Sequence, residues 1–222
     1  MTDERRFRLD EARETADALL DALAGTMVQA QVAGSIRRMR SWVHDIDLVI
    51  EPRFEGRRAN LLGEMVDVSL LDERLTAMSM AGQLSLTKNG PKVKAGRFRD
   101  IPFDIFVATA ETWPITLLIR TGSALHNIWL CTLARDKRML LKADGSGLFR
   151  SVRCNACGGV GCARCAGVGL VAGQEMEVKA EDDVFKALGM GYVPPQMRER
   201  EQPGQQRREP RRSRVTEDYE VY

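Results

Sequence analysis

Apolar residues near the N-terminus recur at helical spacing. Leu9, Ala12, Ala16, Leu19, Leu20 and Leu23, with Gly25 as a stop, predict an amphipathic helix over residues 9–24. Residues 27–33 then read as a strand, broken at Gly34-Ser35 and followed by the basic run Arg37-Arg38-Met39-Arg40. Strict alternation returns in Asp45-Ile46-Asp47-Leu48-Val49-Ile50, with Ile46, Leu48 and Ile50 on one face and both aspartates on the other. Residues 58–80 carry many charges and read as helical. Residues 83–88 and 92–98 predict a hairpin turning at Asn89-Gly90-Pro91. Residues 101–107 alternate again, so Asp104 faces away from Ile101, Phe103, Ile105 and Val107.

The period then changes. Thr112 and Pro114 open a short helix, Thr121-Gly122-Ser123 closes it, and a second helix runs over residues 124–138. Residues 147–152 suit a strand and 181–188 a short helix closed by Gly189. The pattern is α/β up to about Val107 and mainly helical afterwards, which makes the chain α+β overall. The expected division is one domain over residues 1–110 and a second over 111–198. A tail over 199–222, rich in Arg, Glu, Gln and Pro, reads as disordered.

Composition adds bounds rather than identity. The 222 residues are 44% hydrophobic, enough for one medium domain or two small ones with real cores. The first residues are charged rather than signal-like, and no run is apolar enough for a membrane span. The expected setting is therefore cytoplasmic, in a bacterium or a virus, for a monomer with no membrane partner. Net charge is only +2. The basic residues nevertheless cluster, at Lys88, Lys92, Lys94, Arg97 and Arg99 and again at Arg207, Arg208, Arg211, Arg212 and Arg214. Each cluster suits either a polyanion or a solvated face.

The candidate chemistry is carboxylate chemistry. Asp45 and Asp47, at i and i+2 on a strand, project together and can share hard divalent cations, and Asp104 on its own strand supplies a third oxygen donor. Asp67 is a rival third carboxylate, set aside because its segment reads as helix. Gly34 and Ser35 sit ten and more residues before Asp45 at a strand end, where backbone N–H groups and a hydroxyl can meet phosphate, and Arg38 adds a bidentate donor.

Gly34-Ser35-Ile36-Arg37-Arg38 followed by Asp45-Ile46-Asp47 resembles the signature of DNA polymerase family X. The likeness continues in order through Phe103-Asp104-Ile105, Thr121-Gly122-Ser123 with Asn127 and Ala134, Glu181 to Gly189, Tyr192 to Pro195, and Arg198-Glu199. It implies a nucleotidyltransferase palm followed by a thumb. It further implies a DNA-directed DNA polymerase that adds nucleotides to a primer 3′-hydroxyl by two-metal phosphoryl transfer, in short-gap filling during repair. The partners would be primer-template or gapped DNA and nucleoside triphosphates. Asp45 and Asp47 would hold both Mg²⁺ (or Mn²⁺) ions, and Asp104 the one at the primer hydroxyl. Gly34, Ser35 and Arg38 would bind the β and γ phosphates. Thr121, Gly122 and Ser123 would line the nucleotide pocket, with Asn127 toward the minor-groove edge.

Two departures stand out. Ile119 and Arg120 occupy the place of aromatic residues that press on the incoming sugar, which points to tolerance of ribonucleotides. Pro102 replaces an arginine two positions before Asp104, a loss that Arg99 could offset. The chain starts at the palm's first helix, so no lyase activity is expected. Alternative readings are a nucleotidyltransferase acting on RNA, a small molecule or a protein, and an inactive nucleic-acid-binding zinc module.

Residues 154–169 repeat C-x-x-C-x-G-x-G, with Cys154, Cys157, Cys162 and Cys165 in two adjacent knuckles. Two thiolate pairs fit one structural, tetrahedral Zn²⁺. The repeat resembles the zinc units of DnaJ-type chaperones and reads as an insertion over 153–170, carried toward DNA by Arg150, Arg153 and Arg164. Of the remaining residues, Trp42, Trp113 and Trp129 read as core, Cys131 as a buried thiol, His44 as structural or solvated and His126 as a surface helix residue, with contact to nucleotide or template as its alternative reading.

Overall fold

The computed structural model describes residues 5–58 and 65–200. Its first half is built on a five-stranded sheet, ordered β2 (Met27–Val32), β4 (Ile46–Pro52), β9 (Ile101–Val107), β8 (Val93–Phe98) and β7 (Ser85–Asn89). Only β4 and β9 run parallel; every other neighbouring pair is antiparallel. Helix α1 (Leu9–Ala22) buries Ala12, Thr15, Ala16 and Leu19, the i, i+3, i+4, i+7 stripe that the sequence spaces out. That stripe joins Ile46, Leu48 and Ile50 of β4 and Ile101, Phe103 and Ile105 of β9 in one core. Helix α3 (Leu70–Met80) adds Leu71, Leu75 and Met78. The opposite sheet face carries Asp47, Asp104 and, further along, Val49 in a small second cluster with Ala33, Ala108 and Leu117.

Lesser elements complete this half. A two-residue pairing of β1 (Phe7–Arg8) with β3 (Trp42–Val43) leaves Trp42 57% exposed, so this tryptophan is not core. Helix α2 (Gly34–Arg37) is a single turn after β2. The helix expected over 58–80 is corrected. Strand β5 (Phe54–Arg58) pairs with β6 (Met65–Ser69), and helix begins only at Leu70. The alternation Met65-Val66-Asp67-Val68 is β-branched and strand-like, and the Ser69 hydroxyl caps α3 by accepting from the Asp72 N–H at 3.2 Å. Asp67 thus lies on a strand, paired with Gly56 away from the sheet that carries Asp47 and Asp104. Residues 59–64 lie outside the described residues.

The second half is less helical than its pattern predicts. Helices α4 (Trp113–Thr121), α5 (Ala124–Asp136) and α6 (Glu181–Ala187) pack with a three-stranded sheet of β10 (Met139–Leu141), β11 (Leu148–Arg153) and β12 (Leu170–Glu175). Ile115, Leu118 and Ile119 of α4, Leu130 and Ala134 of α5, Met139, Leu141 and Leu148, and Val184 and Phe185 form its core. Strand β10 has only three residues, and β12 carries no long alternation. The cysteine segment connects β11 to β12 as the tip of an antiparallel hairpin.

Charged groups tie the halves together. Arg37 donates to Glu181 through two hydrogen bonds of 2.8 Å and to the Thr121 hydroxyl at 2.7 Å. Arg198, fully buried, meets the same Glu181 at 2.5 Å. Glu181 is thereby held in its ionised form against its own burial, and its pKa is lowered by the two guanidinium partners. Glu199 and Arg200, expected to open the disordered tail, are instead held: Glu199 accepts from Arg38 at 2.9 Å and the Arg200 guanidinium stacks 3.7 Å from the Trp129 ring centroid. The rest of the expected tail, 201–222, lies outside the described residues. No helix among the described residues is long and apolar enough to cross a membrane.

Candidate active site

Asp47 and Asp104 are register partners on the parallel strands β4 and β9, and Asp45 stands one residue before β4. A carboxylate oxygen from each of the three lies within 4.8 Å of the others, all partly buried. Two residues 57 positions apart therefore meet because a parallel pairing sets them opposite each other, which no local spacing encodes.

Crowding is evident in their titration. Burial and the charges of Asp45 and Asp104 push the Asp47 carboxyl up to about 7. Burial raises Asp45 as well, and burial with the Asp45 charge raises Asp104. The neighbouring cations Arg38, Arg120 and Lys88 offset this only in part. Three hard oxygen donors repelling one another in a confined space suit a divalent cation such as Mg²⁺ or Mn²⁺, whose charge removes the repulsion.

Gly34 makes this arrangement possible. Its φ is +55°, and a Cβ there would fall inside the Asp47 carboxylate, within 2.6 Å of Cγ. The glycine brings α2 against the carboxylates; close approach to Asp47, more than general loop freedom, is what excludes a side chain. The Ser35 hydroxyl beside it is buried and has no hydrogen-bond partner among the described residues. Arg38 is occupied, donating to the Thr121 carbonyl at 2.7 Å as well as to Glu199.

The other nucleotide-binding candidates gather at the α4–α5 turn. Thr121 is fully buried and bridged to Arg37 and Arg38. The Ser123 hydroxyl caps α5, accepting from the His126 N–H at 3.2 Å, and also accepts from the Arg200 N–H at 3.2 Å. A Cβ on Gly122 would come 2.9 Å from the His126 ring and clash with Asn127. Asn127 donates its amide to the Ile119 carbonyl at 2.7 Å and to the Gly122 carbonyl at 3.3 Å, fixing the turn, while its side-chain oxygen stays buried without a partner. Arg38 and Thr121 thus link the two groups of candidates.

Sequence reasoning missed three contributors. Lys88, Ala95, Asp104 and Asp47 occupy one cross-strand row over β7, β8, β9 and β4, so the small Ala95 alone separates Lys88 from the carboxylates. The basic cluster hid this, since Lys94 within it is buried against Asp72, Asn89 and Gly90, whereas Lys88 is exposed. Arg120 lies 4.0 Å from the Phe106 centroid, and its charge acts on Asp47 and Asp104. His126, expected on a surface, is 1% exposed, and burial with the charges of Arg198 and Arg200 lowers its pKa to about 4. Arg99 sits in the β8–β9 turn at φ +48°, 5.4 Å from the Phe98 ring centroid.

The four knuckle cysteines form a second donor cluster. Their sulfurs lie within 4.8 Å of one another, with Cys154–Cys162 and Cys157–Cys165 at 3.8 Å and Cys162–Cys165 at 3.7 Å. A tetrahedron with zinc–sulfur bonds of about 2.3 Å has edges of about 3.8 Å. The N–H groups of Gly161, Cys162 and Gly169 each donate to a sulfur at 3.2 Å, which favours thiolates. All four are free of disulfides.

The chain is similar in part to DNA polymerases of the family X type. A family model described as the DNA polymerase beta thumb matches residues 116–199. DNA polymerase lambda of Rattus norvegicus is 28% identical over 170 residues, 75% of this chain. The chain spans 28% of the length of that relative. The thumb match falls within the second half.

Proposed function

We propose that the chain is a metal-dependent nucleotidyltransferase of family X type that extends a DNA primer, with residues 1–110 as palm and 111–198 as thumb. The observation that carries this reading is the meeting of Asp45, Asp47 and Asp104 oxygens within 4.8 Å on one sheet face. When bound there, divalent cations would activate the attacking 3′-hydroxyl and neutralise the leaving pyrophosphate. Asp45 and Asp47 would hold both ions and Asp104 the one nearer the primer. Asp104, nearest the primer hydroxyl, would also take up its proton on a carboxylate oxygen. Ser35 brings an unpartnered hydroxyl to the triphosphate, and Arg38 would leave Glu199 to join it. Lys88, one small residue away from Asp104, suits the primer backbone. Gap filling in repair is the pathway this chemistry fits.

A primer on a one-nucleotide gap, supplied with Mg²⁺ or Mn²⁺, tests the reading. Template-directed extension is expected, with a loss of roughly 10³-fold or more in Asp45→Ala. Absence of extension alongside labelling of RNA, a protein or a small molecule would move the activity to another acceptor.

A further inference from the structure

A cavity of about 460 Å³ opens on the second half, lined by Arg138, Ser151, Val152, Arg153 and Leu170. Its residues come together through the sheet. The Ser151 N–H donates to the Arg138 carbonyl at 2.9 Å, and Arg153 pairs in register with Leu170. Ser151 and Arg153 share one face of β11. Three features point to an anion. No carboxylate lines the cavity. Neither arginine makes an ion pair or a side-chain hydrogen bond among the described residues. The Ser151 hydroxyl is buried with no partner among them. A buried hydroxyl without a partner is costly, and a phosphate oxygen between two guanidinium groups supplies what it lacks.

We infer that this cavity binds a backbone phosphate of nucleic acid, as a contact separate from the carboxylate site. The inference rests on the reading of the chain as a DNA-handling enzyme. A phosphodiester suits the lining better than a free nucleotide, because the lining offers no aromatic face for a base, only Val152 and Leu170. The knuckle takes part. Arg153 immediately precedes Cys154, whose N–H donates to the Gly169 carbonyl at 2.9 Å. The Arg153 stem passes Gly159, and a Cβ on that glycine would lie 3.7 Å from its Cγ and Cδ. Ordering the knuckle therefore orders one of the two phosphate donors, which gives the cysteine element a function away from the chemistry.

Binding of the full, zinc-loaded chain to fluorescent gapped duplex, measured against salt concentration, tests this. Each lost phosphate contact reduces the slope of log affinity against log salt by about 0.9. Arg138→Gln with Arg153→Gln should remove that one phosphate contact, lowering the slope by about one and weakening binding about tenfold near 0.1 M salt. Arg135→Gln, an exposed arginine outside the cavity, should leave the slope within about 0.3. A zinc-free Cys154→Ser, Cys165→Ser variant should lower the slope by less than the double arginine variant, because Arg138 remains in place. A double arginine variant with the wild-type slope overturns the inference, as does an equal loss in Arg135→Gln. Inorganic phosphate that raises the Tm of wild type and double variant equally also overturns it. Primer extension at saturating DNA separates the outcomes: if it persists while the slope is unchanged, the phosphate site fails and the polymerase reading stands. Wild type without DNA affinity ends both.

Discussion

The two donor clusters hold their ligand atoms within the same 4.8 Å span but assemble them by opposite means. Asp45, Asp47 and Asp104 are gathered by a sheet whose buried face carries the main core, so the fold holds them together against their own repulsion. Cys154 to Cys165 are gathered within twelve residues of chain by glycine turns at positive φ, Gly158, Gly159, Gly161, Gly167 and Gly169, with little apolar burial around them. Val160 there is 89% exposed. The first cluster is an arrangement the scaffold imposes and a cation would relieve. The second has almost no scaffold, and a bound metal would supply the order.

The comparison breaks most sharply at Gly34. If the scaffold imposes the carboxylate geometry, a methyl group that displaces Asp47 should disable the site without unfolding the protein. Gly34→Ala also forces a side chain into φ +55°, a cost of about 1 kcal/mol. Activity should fall at least about 100-fold, since displacement of a reacting group by about 1 Å has that effect. Single-turnover extension reads it, and circular dichroism checks the fold. Activity within threefold of wild type would show that the contact between Gly34 and Asp47 does not set the geometry.

Metal removal separates the clusters next. A chelator strong enough to strip zinc should open residues 154–169 to proteolysis and release one zinc per chain. The main thermal transition should move by less than about 5 °C, because the element contributes only Cys154 and Cys165 to the buried apolar set. Limited proteolysis with mass spectrometry follows the first effect and calorimetry the second. Collapse of the whole second half on chelation would mean that the knuckle supports the core around Leu130, Leu148 and Phe185.

The same contrast explains what was legible in the sequence. The cysteine cluster was legible because its geometry is local, with spacing and glycines adjacent in the chain. Strands β4 and β9 were legible through their alternation, β7 and β8 through the turn at Asn89-Gly90-Pro91, and α1 through its stripe. What stayed hidden is long-range. The strand pairing that sets Lys88 in line with Asp104 exists only once β7, β8 and β9 are in register. The ion pairs of Arg37 with Glu181 and Arg38 with Glu199 join residues more than 140 positions apart. His126 reads as a surface residue until Arg198, Arg200 and the α4–α5 turn close over it. The β5–β6 hairpin was missed for a different reason: its charges mask the alternation, and Ser69 with Asp72 marks where the helix starts.

The smallest expected effect sharpens the claim that the scaffold works against carboxylate repulsion. Asp47 is a carboxylic acid whose folded pKa, about 7, lies above its ordinary value of 3.8. Between these values the unfolded chain has lost the proton and the folded chain keeps it. Stability therefore falls as pH rises from about 4 through 7, and the loss is complete above 7. Asp47→Asn removes that penalty, so the metal-free variant should be more stable than wild type by on the order of 2 kcal/mol at pH 8. The gain should vanish near pH 4. Saturating Mg²⁺ should narrow it, since a cation held tenfold above its Kd stabilises the wild type by about 1.4 kcal/mol and the variant by less. Urea melts at the two pH values, with and without Mg²⁺, measure all three quantities. An Asn variant less stable than wild type at pH 8 without metal would mean that Asp47 is held by attraction to Arg38 and Arg120, and that the cluster is no more strained than the cysteines.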